Sequence, residues 1–346
     1  MTEKNFVYCK FIISAADPGF PKLKIIIIMK SRIFIVTVPQ RPEEDRLSIP
    51  LNKQESGMIN IKEYVKNELK AYDGKYLPVR AGLLEQIFVR SLPPSKLHPN
   101  PEDVFCDEKI GPNDGIIEKY TKKIRFNQQH SLPVFDEPVI VEKMKPDGYL
   151  LINGHHRWAA ALMLDLKKIP VKVVNMTHVR DILEMLEESD RVKRASIDLD
   201  DVIFCRKGTE EQEKPLPFPF NLIYPEPVRK GIPALLYTLQ NEGYDIWVYS
   251  SGYTSTDHIS GLFRHHQIYA NGIINGADHK KAWNNNNAAE VRALMEKKYR
   301  VTLNINTDCI SWIRSDTKEF DQIDIRSKGD EWSEEVISVI RSLGDL

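Results

Sequence analysis

The apolar positions of this chain change their spacing twice. Between residues 22 and 39, in KLKIIIIMKSRIFIVTVP, a nearly continuous apolar run is broken by Lys30, Ser31 and Arg32. A membrane-spanning helix needs about 20 uninterrupted apolar residues. The β-branched content and the polar break predict a β-hairpin instead. Residues 1–56 as a whole read as a small β-rich N-terminal segment that ends in the charged, loop-like PQRPEEDRLSIPLNKQESG.

From residue 57 helices and strands alternate. MINIKEYVKNELKAY predicts a helix, LPPSKLHPNPEDVF supplies the prolines of an extended connection, and residues 116–126 predict a second helix. EPVIVEKMKPDGYLLING reads as two strands joined by a Lys-Pro-Asp-Gly turn, RWAAALMLDL as a helix, and KKIPVKVVN as a further strand. Residues 57–180 thus make one α/β domain, and the charged helical stretch DILEMLEESDRVKR makes residues 181–194 a connector. A second α/β domain covers residues 195–346. It opens with a strand over 195–204, continues through a proline-rich excursion, a helix in GIPALLYTLQNEG and strands in YDIWVYSS and YRVTLNIN, and closes with a strand and a helix. That alternation predicts a mostly parallel sheet covered on both faces. NNNN at 284–287 is expected to cap or loop.

Composition narrows the function classes. With 42% hydrophobic and 28% charged residues and a formal net charge of -1, the chain has no global pull toward nucleic acid or anionic lipid. An anion site must therefore be local. Cys9, Cys106, Cys205 and Cys309 have no paired spacing, which predicts thiols in a cytoplasmic protein rather than disulfides or a zinc site. No small-residue cleavage site follows the apolar run, so no signal peptide is expected.

Gly154-His155-His156-Arg157 stands where a strand enters a helix. Such a turn exposes backbone N–H groups and the positive end of the helix dipole, which favours anions. Gly154 allows close approach, imidazoles can donate hydrogen bonds, and Arg157 offers a fork that suits phosphate oxygens. A metal site at the His pair is the weaker reading, because adjacent histidines on a turn point apart and no third ligand has a fixed spacing. YLLINGHHRWAAALMLDLKKIPVKVV resembles the signature segment of the ParB/sulfiredoxin fold, and within it the free serine kinases. The resemblance implies that Asn153, Gly154, His155, His156 and Arg157 hold the phosphates of ATP or ADP. It also implies an upstream acidic base, Glu102 or Asp103 in HPNPEDVF. Asn153 stands where the kinases have an aspartate, and His155 where sulfiredoxin has its cysteine, which removes sulfinic acid reduction.

In SIDLDDVIF, Asp198 and Asp200 are two apart on an extended strand and so share a side. Paired carboxylates there can bind Mg²⁺ and divide nucleophilic and acid-base work. Downstream, Ser250 and Ser251 end a buried strand, Lys280 or Lys281 can offset charge, and Asp308 follows a further apolar strand. This order resembles the haloacid dehalogenase (HAD) superfamily of phosphohydrolases, with a three-layer Rossmannoid sheet. The resemblance implies Asp198 as nucleophile, Asp200 as general acid and base, Ser250 as phosphate ligand, Lys280 or Lys281 as stabilising cation, and Asp308 with Asp198 and Asp200 as metal ligands. One acid of the usual final pair is missing from Asn306-Thr307-Asp308.

The expected protein is an α/β, Mg²⁺-dependent phosphoryl-transfer enzyme, with a ParB/sulfiredoxin-like domain before a HAD-like domain. Its expected partners are a nucleotide and a phosphorylated small molecule, with nucleic acid less favoured and no membrane. The competing class is a non-catalytic nucleotide-sensing or protein-binding module. A nuclease acting on DNA ends would require a local basic groove.

Overall fold

β1 (Ile12–Ser14), β2 (Lys22–Met29) and β3 (Arg32–Pro39) form an antiparallel sheet in that order, and Met29 pairs with Arg32 across the polar break that divides the apolar run. The computed structural model describes residues 12–14, 22–29, 32–39, 60–72, 76–205, 211–276, 286–329 and 331–344. These strands belong to a unit spanning Met1–Pro50, and the rest of the chain, Leu51–Leu346, is a second unit.

The first part of that second unit contains α1 (Ile61–Tyr72), β4 (Leu77–Pro78), α2 (Leu83–Phe88), β5 (Ser91–Leu92), β6 (Leu97–His98), α3 (Asp114–Gln129), β7 (Val139–Lys145), β8 (Tyr149–Asn153), α4 (His155–Met163) and β9 (Ile169–Val173). Its sheet runs β5-β9-β7-β8-β6, with β4 pairing β7 at one side. The expected turn joins β7 and β8, which pair antiparallel. α4 is buried along Trp158, Ala159, Ala160 and Ala161. The three alanines let its backbone lie close against Val139, Val141, Leu151 and Ile169, and the Trp158 indole N–H donates to Pro94 O at 2.9 Å. That anchor fixes where the N-terminus of α4 emerges from the sheet.

The second part contains α5 (Val179–Glu187), β10 (Lys193–Asp198), α6 (Phe220–Ile223), α7 (Ile232–Asn241), β11 (Tyr244–Tyr249), α8 (Thr256–His265), β12 (Gly272–Ile274), α9 (Asn286–Lys298), β13 (Val301–Ile305), β14 (Cys309–Arg314), β15 (Phe320–Asp324) and α10 (Glu331–Ser342). The strand order is β12-β11-β10-β13-β14-β15; the first four are mutually parallel and the last two antiparallel. Chain order therefore reverses at β10, with β11 on one side and β13 on the other. In open α/β sheets the crevice at such a reversal, beyond the carboxyl ends of the strands, is where ligands bind.

β10 is shorter than the predicted strand over 195–204. After Asp198 the chain enters a π-helical turn, Leu199–Ile203, whose apolar Leu199, Val202 and Ile203 are buried. The Arg229 guanidinium pins the turn by donating to Val202 O at 2.8 Å and Asp201 O at 3.0 Å. The proline-rich excursion returns beside it through Phe204↔Val228 and Gln212↔Arg229 bridges.

Polar side chains, many of them buried, join the two parts. Asn175 accepts from Ala81 N at 2.8 Å, donates to Ala81 O at 3.0 Å and also bonds Asp257, while its own N–H donates to Ser255 Oγ at 3.1 Å. Asn275 bonds Asn175 O and Thr254 O and accepts from Thr177 N. Cys106, Cys205 and Cys309 are thiols, and Cys9 lies outside the described residues. Among the described residues no helix is long and apolar enough to cross a membrane.

Candidate functional site

Gly154 is the N-cap of α4, with φ +99° and no side chain bonded to the helix end. The left-handed backbone there demands glycine. A Cβ at Gly154 would lie 3.0 Å from Arg157 Nη2 and 3.1 Å from Nε, so the guanidinium lies across the turn itself. Arg157 donates to Glu137 O at 2.5 Å, Pro138 O at 3.3 Å and Asn153 Oδ1 at 3.2 Å. Beside it is a cavity of about 290 Å³ lined by Tyr120, Lys123, Phe135, Asp136, Asn153 and Arg157 among others, where Lys123 and Asp136 form an ion pair.

Both histidines of the turn direct Nε2 at the 100–113 segment. His155 is buried against Phe105, and its Nε2 accepts from Asn100 N at 3.2 Å. Burial pushes its imidazole down to about 4, against the opposing pull of Asp103. Its Nδ1 lies 3.7 Å from Asp103 Oδ2. His156 Nε2 accepts from Asn113 N at 3.4 Å, and burial lowers its pKa as well. An Nε2 that accepts carries no proton, so both rings are neutral and held by the 100–113 segment. That arrangement brings Asp103 to the turn, where it also caps the 3₁₀ turn Val104–Cys106 through Phe105 N, while Glu102 N donates to Asn100 Oδ1. Besides the imidazoles, the turn offers an anion the first backbone N–H groups of α4 and the remaining donors of Arg157.

At the carboxyl edge of the second sheet, Asp198 ends β10 and accepts from Asp201 N at 2.7 Å. Burial, joined by the charges of Asp200 and Asp201, holds its carboxyl above the ordinary range despite that hydrogen bond. Asp200 Oδ2 accepts from Ser250 Oγ at 3.0 Å, Ser251 N at 2.9 Å and Ser251 Oγ at 3.1 Å. The structure thus brings Asp200, Ser250 and Ser251 together, next to Asp198. Asp308 is exposed in the tight turn between β13 and β14, where Asn306 N donates to Cys309 O. Among the described residues no three Asp, Glu, His or Cys side chains gather to hold a metal ion. Asp198, Asp200 and Asp308 therefore do not form such a group. Lys280 and Lys281 lie outside the described residues.

Two contributors carry no signal in the sequence pattern. Arg229 shapes the turn after Asp198 and stacks on Trp332, 5.0 Å from its ring centroid, while the Trp332 indole N–H donates to Thr307 O. Tyr253, in the loop after Ser251, has its hydroxyl 3.3 Å from Asn153 Nδ2, which donates to it. Both are long-range contacts made by residues with no local motif.

Known proteins resemble parts of this chain. An ATP-dependent L-serine kinase of Staphylothermus marinus is 36% identical over 76 residues, 21% of this chain and 30% of that protein. A nucleoid occlusion protein of Listeria monocytogenes is 33% identical over 91 residues, 25% of this chain and 28% of that protein. The matched stretches span less than a third of these curated relatives. The crystal structure of a C-terminally truncated chromosome-partitioning protein ParB from Caulobacter crescentus, complexed to the centromeric parS site, is 22% identical with a TM-score of 0.19, over 29% of this chain and 46% of that one. None of these likenesses bears out a HAD-like second half. Residues 121–189, from within α3 through the Gly154 turn to the end of α5, match the ParB N-terminal domain.

Proposed function

We propose that the Gly154 turn binds the phosphates of a nucleotide and that the chain transfers a phosphoryl group from ATP or ADP to a small hydroxyl compound. The observation that carries this reading is the uncapped N-terminus of α4, laid under the Arg157 guanidinium beside a cavity of about 290 Å³. Likeness to an ATP-dependent L-serine kinase supports it and names L-serine as the first acceptor to test. Glu102 and Asp103, carried to the turn by the Asn100–His155 bond, are the candidates to take the acceptor's hydroxyl proton. Calorimetry should detect ATP or ADP binding, weakened at least tenfold by Arg157→Gln. Phosphoserine should then form from ATP and L-serine. Absence of nucleotide binding to the wild-type chain refutes the reading.

The β10 edge supports a second activity in the same protein. Strand order reverses there, and Asp198, partly buried beside two other acids, stands at the reversal. In this HAD-like reading an Asp198 oxygen attacks phosphorus to form an acyl phosphate, Asp200 protonates the departing oxygen, and water then hydrolyses the acyl phosphate. Asp198→Asn should abolish phosphate release from an aryl phosphate, and unchanged turnover removes the assignment. The nucleoid occlusion relatives favour a non-enzymatic alternative, a nucleotide-binding module that acts on DNA. Fluorescence anisotropy with duplex DNA, with and without ATP, separates that alternative from the kinase.

A further inference from the structure

The segment Ser250–Thr256 touches both candidate sites. At its start, Ser250 and Ser251 direct three donors at Asp200 Oδ2, and Gly252 N donates back to Ser250 Oγ at 3.1 Å. Two residues on, the Tyr253 hydroxyl receives Asn153 Nδ2, and the other end of the same amide, Oδ1, receives Arg157 Nη2. At its end, Ser255 Oγ accepts from Asn175 N, and Thr256 N donates to Asn175 O at 3.1 Å. The segment is therefore fixed at one end to the acidic edge of β10 and at the other to a buried junction. Between these anchors lies Tyr253, whose hydroxyl meets the residue before Gly154. Two virtual bonds of about 3.8 Å separate Ser251 from Tyr253. A shift of the Ser251 end has little slack in which to dissipate before it reaches the phenol. The Asn153 amide accepts from Arg157 and donates to Tyr253 at the same time, which joins the two side chains through one group.

We infer that the two candidate sites are energetically coupled through this segment, with Tyr253 a positioning residue that sets the Asn153–Arg157 pair over the nucleotide turn according to the state of Asp200. The inference rests on the Gly154 turn binding ATP. A ligand or charge change at the β10 edge would alter nucleotide affinity without touching the nucleotide, and by linkage the reverse would hold for binding.

A double-mutant cycle with ATP as the titrant tests it in the full chain. Tyr253→Phe removes only the hydroxyl, and Asp200→Asn weakens the acceptor that holds Ser251. Each single change should weaken ATP binding about fivefold or more. The double variant should be no weaker than the worse single variant, because one connection is cut twice. If the effects multiply, or if Asp200→Asn leaves ATP affinity unchanged, the coupling is refuted while nucleotide binding at the turn stands. If the wild-type chain binds no ATP, the proposed function fails and the coupling fails with it. Should Tyr253→Phe not fold, the cycle Asn153→Ser with Asp200→Asn interrogates the same connection, and multiplicative effects there refute it equally.

Discussion

Gly154→Ala perturbs the proposed nucleotide turn at its most constrained atom. At φ +99° an L-residue is strained, at a cost of about 1–2 kcal/mol for left-handed backbone. The new methyl would also stand 3.0–3.3 Å from Arg157 Nη2, Nε and Cζ. The guanidinium end is mobile and would move, loosening its bonds to Glu137 O and Asn153 Oδ1, of which each contributes about 1 kcal/mol. Gly243→Ala is the natural control, because Gly243 has φ +81° but nothing within 4 Å of a Cβ, and so bears the backbone cost alone. Urea denaturation should therefore find Gly154→Ala less stable than the wild type by about 2–3 kcal/mol, and Gly243→Ala by about 1–2 kcal/mol. Only Gly154→Ala should weaken ATP, by about 10- to 150-fold, the equivalent of one charge-assisted bond of about 1.5–3 kcal/mol. Equal losses of stability with unchanged ATP affinity would mean that the glycine is there for the backbone alone and that Arg157 has no part in holding phosphate.

His155→Gln should remove an acid-sensitive component of stability. The folded imidazole titrates near 4 against 6.5 unfolded, so its contribution is complete above 6.5 and is lost as pH falls through about 4, with a slope approaching 1.4 kcal/mol per pH unit between the two; denaturant titrations across that window should show the slope in the wild type and a flatter one in the variant. Asn175→Ala strands the Ala81 N–H in a buried junction, while Ala81 O keeps Gln86 Nε2, and should lower stability by about 1–3 kcal/mol, measured by chemical unfolding. Asp198→Asn should stabilise the chain at neutral pH, because the folded carboxyl is held above its ordinary 3.8; the advantage should vanish as pH falls below that value, read from melting temperatures.

The elements legible in the sequence are those whose cause is local. The Lys-Pro-Asp-Gly turn, the helix at RWAAALM and the buried strand YDIWVY follow from turn chemistry and apolar spacing, and they stand where that spacing puts them. The strand expected over 195–204 stops at Asp198 because Arg229, 31 positions downstream, ties the next carbonyls into a turn; no window of sequence around DLDDVIF contains that arginine. β12 escaped notice for a related reason. It is three residues long, and a Cβ at Gly272 would stand 2.4 Å from the Trp247 ring, so the glycine marks close packing against a neighbouring strand rather than a break in structure. The acid side chains of the second part show the same limit: their types are visible in the chain, while the exposure of Asp308 in the β13–β14 turn and the lack of a three-ligand cluster among the described residues are not.

The histidines show that residue type alone does not say what an imidazole does at such a site. An imidazole at a strand-to-helix turn invites a role as phosphate donor, yet donation needs a proton on the exposed nitrogen and a ring that faces the ligand. Here each Nε2 is spent on a backbone N–H of the 100–113 segment, and burial keeps the rings neutral. Their work is thus to hold Asn100, Glu102 and Asp103 against the turn, which places an acidic segment beside the expected position of a phosphate. A carboxylate so placed repels a bound anion. The repulsion would be tolerable in a kinase, where the base must stand near the transferred group, and costly in a module that only senses a nucleotide. On this reasoning the acidic segment weighs toward catalysis, and neutralising it by Glu102→Gln or Asp103→Asn should tighten ATP binding while abolishing phosphoryl transfer.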